Sequence, residues 1–344
     1  MNNKLCISSM TPSQLSEYMA SLGQPAFRAG QIFKWLSLGA DSFDQMTNLS
    51  KDLRQKLDDA CYIEMPQLLR KQVSAKDGTI KYLFGLRDGN SIESVLMEYK
   101  HGTSICISTQ AGCKMGCIFC ASFDPARSRN LSAGEIIGQI LMAQKDSGRT
   151  VSNIVLMGTG EPLDNYDNVM DFLDIVSAPG GLNIGMRHIS LSTCGLVPKI
   201  DELSDKKLQL TLSVSLHAPN NQTRDKIMPV NHRYPLEQLI PACKRYFNKT
   251  HRRISFEYAM IKDVNDSTKD AYQLASLLSG FLCHVNLIPL NKLPGSPLIP
   301  STPANIRKFQ EILNSKGVNT TVRRSLGGDI DAACGQLRRG KSSL

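Results

Sequence analysis

No apolar run in the 344 residues reaches membrane-spanning length, and residues 1–6 do not open a secretory signal. The cytoplasm is therefore the expected compartment. There is no sequence repeat and no low-complexity tract, and with 41% hydrophobic residues wholesale disorder is excluded. A chain of this length buries a sizeable core without disulfide support, so the ten cysteines are not needed as staples. In a reducing compartment they stay free thiols, and clustered ones become candidates for metal binding or catalysis. Negative charge is in deficit: 40 Lys and Arg stand against 31 Asp and Glu, a formal net charge of +9 that favours a polyanionic partner. The positive residues are scattered in pairs (Arg70 with Lys71, Lys244 with Arg245, Arg252 with Arg253, Arg323 with Arg324, Arg338 with Arg339). Any one such pair, taken alone, reads as solvated surface.

What is present divides into three textures. Residues 1–62 read as helical: Thr11, Ser13 and Glu17 are helix-start residues with Gly23 as a stop, Pro25 opens a second amphipathic stretch, and a third helix is expected over 50–60. Residues 63–102 read as a short β-rich connector with turn signals at Asp77-Gly78 and Asp88-Gly89. From 103 to 344, β-branched runs at 104–108, 153–157, 188–193, 208–216, 254–261, 285–290 and 318–322 alternate with helical patterns. Those patterns cover 132–145, 166–176, 236–247, 269–278 and 303–315. This βα alternation predicts an α/β fold, a partial or complete (βα) barrel behind a small N-terminal helical domain.

Directly after the first barrel strand stands Cys113-Lys-Met-Gly-Cys117-Ile-Phe-Cys120. Three thiolates in eight residues can wrap one metal centre. A structural zinc site normally takes four ligands, as do most iron–sulfur clusters. No fourth cysteine follows nearby, so three ligands with one open iron is the sharper reading, against a zinc site or three unrelated buried thiols.

In βα barrels ligand sites collect at the C-terminal strand ends, and unusual polar residues fall there. Gly158-Thr-Gly160-Glu161-Pro162 follows the second strand, Ser192 ends the third, Ser215-Leu216-His217 follows the fourth, and Asn291 follows the sixth. Glycines allow close backbone approach to a ligand, and Glu161 suits an ammonium group. A lone histidine such as His217 is more often a satisfied core residue than a ligand. Cys106 on the first strand and Cys334 after the last fall at the same mouth if the strands curl into a barrel. The usual fate of a free cysteine is an inert buried thiol.

The segments CISTQAGCKMGCIFCAS, VLMGTGEPL, ISLSTCGLVPKI, SVSLHAPN, FEYAMIKDVNDS, HVNLIPLN and VRRSLGGDIDAACGQLRRG resemble the RlmN/Cfr family of radical SAM adenine methyltransferases over essentially the whole chain. AFRAGQIFKWL resembles the family's helical accessory domain. The resemblance implies a [4Fe–4S] cluster on Cys113, Cys117 and Cys120. It implies S-adenosylmethionine contacts from Gly160, Glu161, Ser192, Ser215, His217 and Asn291, with backbone contact from Leu216. Glu93 matches the proton acceptor, Cys334 the methyl carrier, and Cys106 the thiol that resolves a covalent protein–RNA adduct by forming a disulfide. The implied partners are 23S ribosomal RNA and tRNA, an external one-electron donor and a thiol reductant. No membrane is expected, and the chain is expected to be a monomer.

The match is closer to RlmN, which methylates adenine C2, than to Cfr, which methylates C8. The stretch Ser122-Phe123-Asp124-Pro125 departs from the small or Gly-rich run common in relatives. From other classes, a metal-stabilised RNA-binding protein without turnover would explain the charge and the cysteine cluster but not the polar groups at the barrel mouth. A protein-activating radical enzyme would leave DIDAACGQL unexplained.

Overall fold

The computed structural model describes residues 4–100, 102–291, 293 and 295–337. The Arg338 and Arg339 pair lies outside them. Strand β1 (Leu5–Cys6) leads into helices α1 (Pro12–Ser21), α2 (Phe27–Ser37) and α3 (Lys51–Ala60). Strand β2 (Cys61–Tyr62) returns in parallel beside β1. Thr11 caps α1 in a reciprocal capping box with Gln14, and Gly23 leaves the helix with a left-handed φ of 67°.

Strands β3 (Gln67–Val73), β4 (Ile80–Gly85) and β5 (Ser91–Tyr99) follow, then β6 (Gly102–Cys106). All four are antiparallel neighbours. The β-rich segment is thus the flank of one ten-stranded sheet, continuous with the strands that follow. A loop pinched by β7 (Gln110–Ala111) and β8 (Arg129–Asn130) leads to α4 (Ala133–Ser147) and β9 (Val151–Leu156).

From β6 onward neighbours in the sheet are parallel. The order runs α5 (Tyr166–Ser177), β10 (Ile189–Thr193), α6 (Val197–Asp205), β11 (Thr211–Ser215), α7 (Asn221–Ile227) and α8 (Leu236–Thr250). It ends with β12 (Ile254–Met260), α9 (Thr268–Leu277), β13 (Cys283–Pro289), α10 (Pro303–Ser315) and β14 (Asn319–Val322). The sheet edges are β14 and β3, which do not pair among the described residues, so the barrel is partial. Helices α6 and α7 were not expected. The first is short, and the second, NQTRDKI, has almost no apolar face to register as a helical period.

One continuous core runs from Leu15, Ile32 and Leu53 of the accessory helices through Ile136, Ile154, Leu191 and Leu212 to Phe309. The accessory unit docks where α4 begins. Ser9 Oγ accepts from the Gly134 N–H at 3.0 Å, and Ser8 Oγ accepts from the Glu64 N–H at 2.8 Å. A Cβ at Gly134 would lie 2.8 Å from Ser9 Oγ, so glycine permits this approach.

Candidate active site

The loop after β6 brings Cys113, Cys117 and Cys120 to one cavity at the C-terminal ends of the parallel strands. Cys113 is fixed by its carbonyl, which accepts from the Asp124 N–H at 3.0 Å, and the Cys120 N–H closes a turn on the Cys117 carbonyl at 3.1 Å. Gly116 between them takes a left-handed φ of 73°. Burial pushes the Cys113 thiol up to about 12 and raises Cys117 as well. Such thiols stay protonated unless a cationic centre draws them into thiolate form. Cys113, Cys117 and Cys120, all from one short loop and all lining this cavity, supply three of the four thiolates an iron–sulfur cluster usually takes.

The strand ends supply the rest of that cavity. Gly160, Glu161, Ser192, Ser215, His217 and Asn291 all line it. Gly160 has φ 109°, and a Cβ there would fall 2.6 Å from the Gln110 side chain, so no other residue fits. Glu161 is buried. Its carboxylate accepts from the Cys194 N–H at 2.7 Å and the Leu163 N–H at 3.1 Å. Burial raises its pKa, and these N–H donors oppose the rise.

His217 also sits at a left-handed φ of 56°. Its Nδ1 accepts from the Ala259 N–H at 2.9 Å, and its carbonyl accepts from Asn265 at 2.7 Å. Burial first, then the Arg224 charge, lower its pKa to about 3. It is therefore neutral, with its proton on Nε2. His217 is both a satisfied interior residue and a cavity wall.

Leu216 stands apart. Its side chain belongs to the hydrophobic core, its N–H donates to the Glu257 carbonyl at 3.1 Å, and its carbonyl accepts from Arg224. It does not line the cavity, because its neighbours Ser215 and His217 take the inward positions.

A second cavity adjoins the first and is lined by Val95, Met97, Cys106 and Arg323 among others. Cys334 lines both cavities, and so does Asn291, whose Nδ2 donates to the Cys334 carbonyl at 3.1 Å. Cys106 lines only the second; burial pushes its thiol up to about 12, opposed by Arg323. The cluster loop grips the far side of Cys334. The Ala121 N–H donates to the Gly335 carbonyl at 2.8 Å, and Ser122 Oγ to the Leu337 carbonyl at 2.7 Å. The unusual Ser122 thus has a structural task.

Glu93 lies on β5 two residues from Val95, which pairs directly with Cys106, so period-two alternation puts Glu93 on the Cys106 face. It lines neither cavity. Its carboxylate is ion-paired to Lys81 Nζ at 2.9 Å, with both side chains buried.

Two residues unforeseen from sequence complete the site. Arg224 of α7 is fully buried and donates to the carbonyls of Cys194 (2.7 Å), Ser215 (3.1 Å) and Leu216 (3.1 Å) and to Asn231 Oδ1 (2.8 Å). It stitches the ends of β10 and β11 together. Glu257 on β12 faces the first cavity, held by Asn286 at 2.9 Å, with the Arg323 guanidinium 3.8 Å away. A carboxylate inside the apolar run ISFEYAM was the available signal. Of the basic pairs, Lys71 is bound to Asp146 at 2.6 Å and Arg245 to Asp201 at 2.7 Å, so these two are surface ion pairs.

A three-cysteine loop after the first strand of an open parallel βα sheet, facing a cavity of strand-end polar groups, defines a radical SAM enzyme, and residues 107–275 match the Radical SAM superfamily model. Residues 7–63 match the model of the ribosomal RNA large subunit methyltransferase N-terminal domain. The chain belongs to the RlmN family of radical SAM RNA methyltransferases. It is 53% identical to a probable dual-specificity RNA methyltransferase RlmN of Desulforamulus reducens, covering 98% of this chain and 97% of that one. A protein of the same description from Clostridium beijerinckii is also 53% identical, covering 98% and 95%. A crystal structure of a radical SAM methyltransferase from Sphaerobacter thermophilus superposes with a TM-score of 0.90 at 46% identity, over 97% of this chain and 99% of that one. The superfamily generally uses S-adenosylmethionine and a [4Fe–4S] cluster, and the donor set of the first cavity fits both. No helix among the described residues is long and apolar enough to cross a membrane.

Proposed function

We propose that this protein methylates C2 of an adenine in 23S ribosomal RNA, and in tRNA, through an S-methylated Cys334 and a transient covalent bond to the RNA. The observation that carries this reading is the position of Cys334 in the wall shared by two cavities, one holding the three cluster cysteines and the other Cys106.

Cys113, Cys117 and Cys120 would hold the cluster, and Gly160, Glu161, Ser192, Ser215, His217 and Asn291 would hold S-adenosylmethionine, with Glu161 facing its ammonium group. When bound, this pair supplies methyl groups and a carbon radical able to remove a hydrogen atom. The Cys334 thiolate accepts a methyl group. The methylene left on Cys334 sulfur after hydrogen removal adds to the electron-poor C2. The adduct gives up one electron, which the iron–sulfur group that Cys113, Cys117 and Cys120 would hold could take back, and with the C2 proton passing to Glu93 the aromatic ring is restored. The Cys106 thiolate then attacks Cys334 sulfur. The carbon–sulfur bond breaks, its electron pair goes to the methylene carbon, and protonation completes the methyl group. The Cys106–Cys334 disulfide that results is reduced by an external thiol system, as expected of a cytoplasmic enzyme.

The deciding experiment offers anaerobically reconstituted enzyme unmethylated 23S RNA and digests the product to nucleosides. The expected product is 2-methyladenosine by chromatography and mass spectrometry. Finding 8-methyladenosine would overturn the regiochemistry, and finding no methylated adenosine while 5′-deoxyadenosine forms would overturn the RNA assignment.

A further inference from the structure

The segment that carries Cys334 begins with Gly327-Gly328-Asp329-Ile330-Asp331, and neither its acids nor the β3–β4 hairpin has a part in the chemistry above. The two meet. Asp329 accepts from Ser74 Oγ at 2.7 Å and from the Ala75 N–H at 3.1 Å. Asp77 at the hairpin turn accepts from the Gly327 N–H at 2.9 Å. Lys81 Nζ, buried on β4, donates to the Asp331 carbonyl at 3.0 Å while paired to Glu93 at 2.9 Å. Gly327 has φ 64°, and a Cβ there would lie 2.7 Å from the Ala332 Cβ and 3.0 Å from Thr79, so the contact admits only glycine. Lys81 pairs with Val95 across the sheet, and Val95 with Cys106, so one cross-strand row joins it to the resolving thiol.

We propose that the β3–β4 hairpin is a latch for the methyl-carrying cysteine and that Lys81 is its positioning residue, setting the Cys334 segment and the Glu93 carboxylate against one another through a single ammonium group. This rests on the reading of Cys334 as the carrier. A buried ammonium with two partners has few other geometries, because leaving either unpaired costs its desolvation. The hold on Asp331 lies three residues before Cys334, and Asn291 and Ala121 hold the segment at and just past the cysteine. Reactive carbon and proton acceptor therefore share one reference point in the sheet.

The test compares Lys81→Met, Lys81→Arg and Asp329→Ala with the unaltered enzyme, all reconstituted to equal iron content. Two readouts are taken: the ratio of 5′-deoxyadenosine to methylated RNA, and the rate of maleimide labelling at Cys334 by peptide mass spectrometry. In Lys81→Met the ratio is expected to rise about tenfold or more, since displacing a reacting group by about 1 Å costs up to about a hundredfold. Labelling of Cys334 should quicken, and Lys81→Arg should recover part of both effects. Asp329→Ala, at the exposed rim, should move both the same way by about threefold, and it carries the test if Lys81→Met does not fold. Unchanged ratio and labelling in the folding variants would overturn the latch. The carrier reading is tested separately, by S-methylation of Cys334 in the unaltered enzyme. Its absence would overturn that reading, while its presence with inert variants would overturn the latch alone.

Discussion

At the scale of single residues, Cys334 and Cys106 differ in what surrounds them, and their variants should differ accordingly. Cys334 reaches both cavities and Cys106 only the one away from the cluster loop. Cys106→Ala is expected to accumulate enzyme crosslinked to RNA, seen as a slow band on denaturing gels, and to lose at least about a hundredfold in product, the order lost with a positioned nucleophile. Cys334→Ala should give neither crosslink nor product. Activity of both variants would overturn the two-cysteine scheme. These cysteines and the strand-end residues were legible because each stands in or beside a short local motif. Lys81 and Arg224 were not, because nothing local marks them: Lys81 answers to Glu93 and Asp331, and three of the four groups around Arg224 lie on other strand ends. A solvated surface cation and a buried one look alike in sequence.

At the scale of elements, α7 exists to deliver Arg224. Its sequence NQTRDKI has little apolar surface, and it is held by the Asn220 cap on Thr223 N–H and by Arg224 reaching inward. Arg224→Met would strip donors from three strand-end carbonyls and from Asn231. With four such acceptors and each buried unpaired acceptor costing about 1–3 kcal/mol, a loss of at least about 4 kcal/mol is expected in urea unfolding of the apo chain. S-adenosylmethionine binding should weaken with it, because Cys194, Ser215 and His217 share that strand-end geometry. An unchanged unfolding midpoint would contradict the stitching role. The βα alternation was readable because each barrel strand is a β-branched run between amphipathic helices. The continuity of β3, β4 and β5 with the barrel was not, since pairing partners are set by tertiary placement and composition only marks the segment as strand.

At the scale of the whole molecule, the join between accessory unit and barrel contains a buried acid. Glu64 follows β2, and its carboxyl is pushed up to about 7 by burial first and by the nearby Glu135 carboxylate second. Its Oε1 is buried without a hydrogen-bond partner. The folded chain therefore holds this proton where the unfolded chain has released it. Stability from this group is full below about pH 4.5 and declines as pH rises through about 7. Glu64→Gln should remove that decline. Its urea midpoint should match the unaltered chain near about pH 4.5 and exceed it near about pH 8 by the equivalent of about 2 kcal/mol. Parallel curves at both pH values would show that Glu64 ionises freely. This interface was half legible: the helices were visible, but an acid trapped beneath them was not, since burial is a property of the assembled pair.

The position of Cys334 beyond β14, the last strand of the sheet, is also a position in time. At about 5–20 residues per second, the cluster loop leaves the ribosome on the order of ten to forty seconds before Cys334 does. A nascent chain thus completes the strands that shelter a radical before it acquires the sulfur that would carry one. In the proposed scheme, covalent capture of RNA would become possible only once synthesis has delivered both cysteines, the one that would form the bond and the one that would release it.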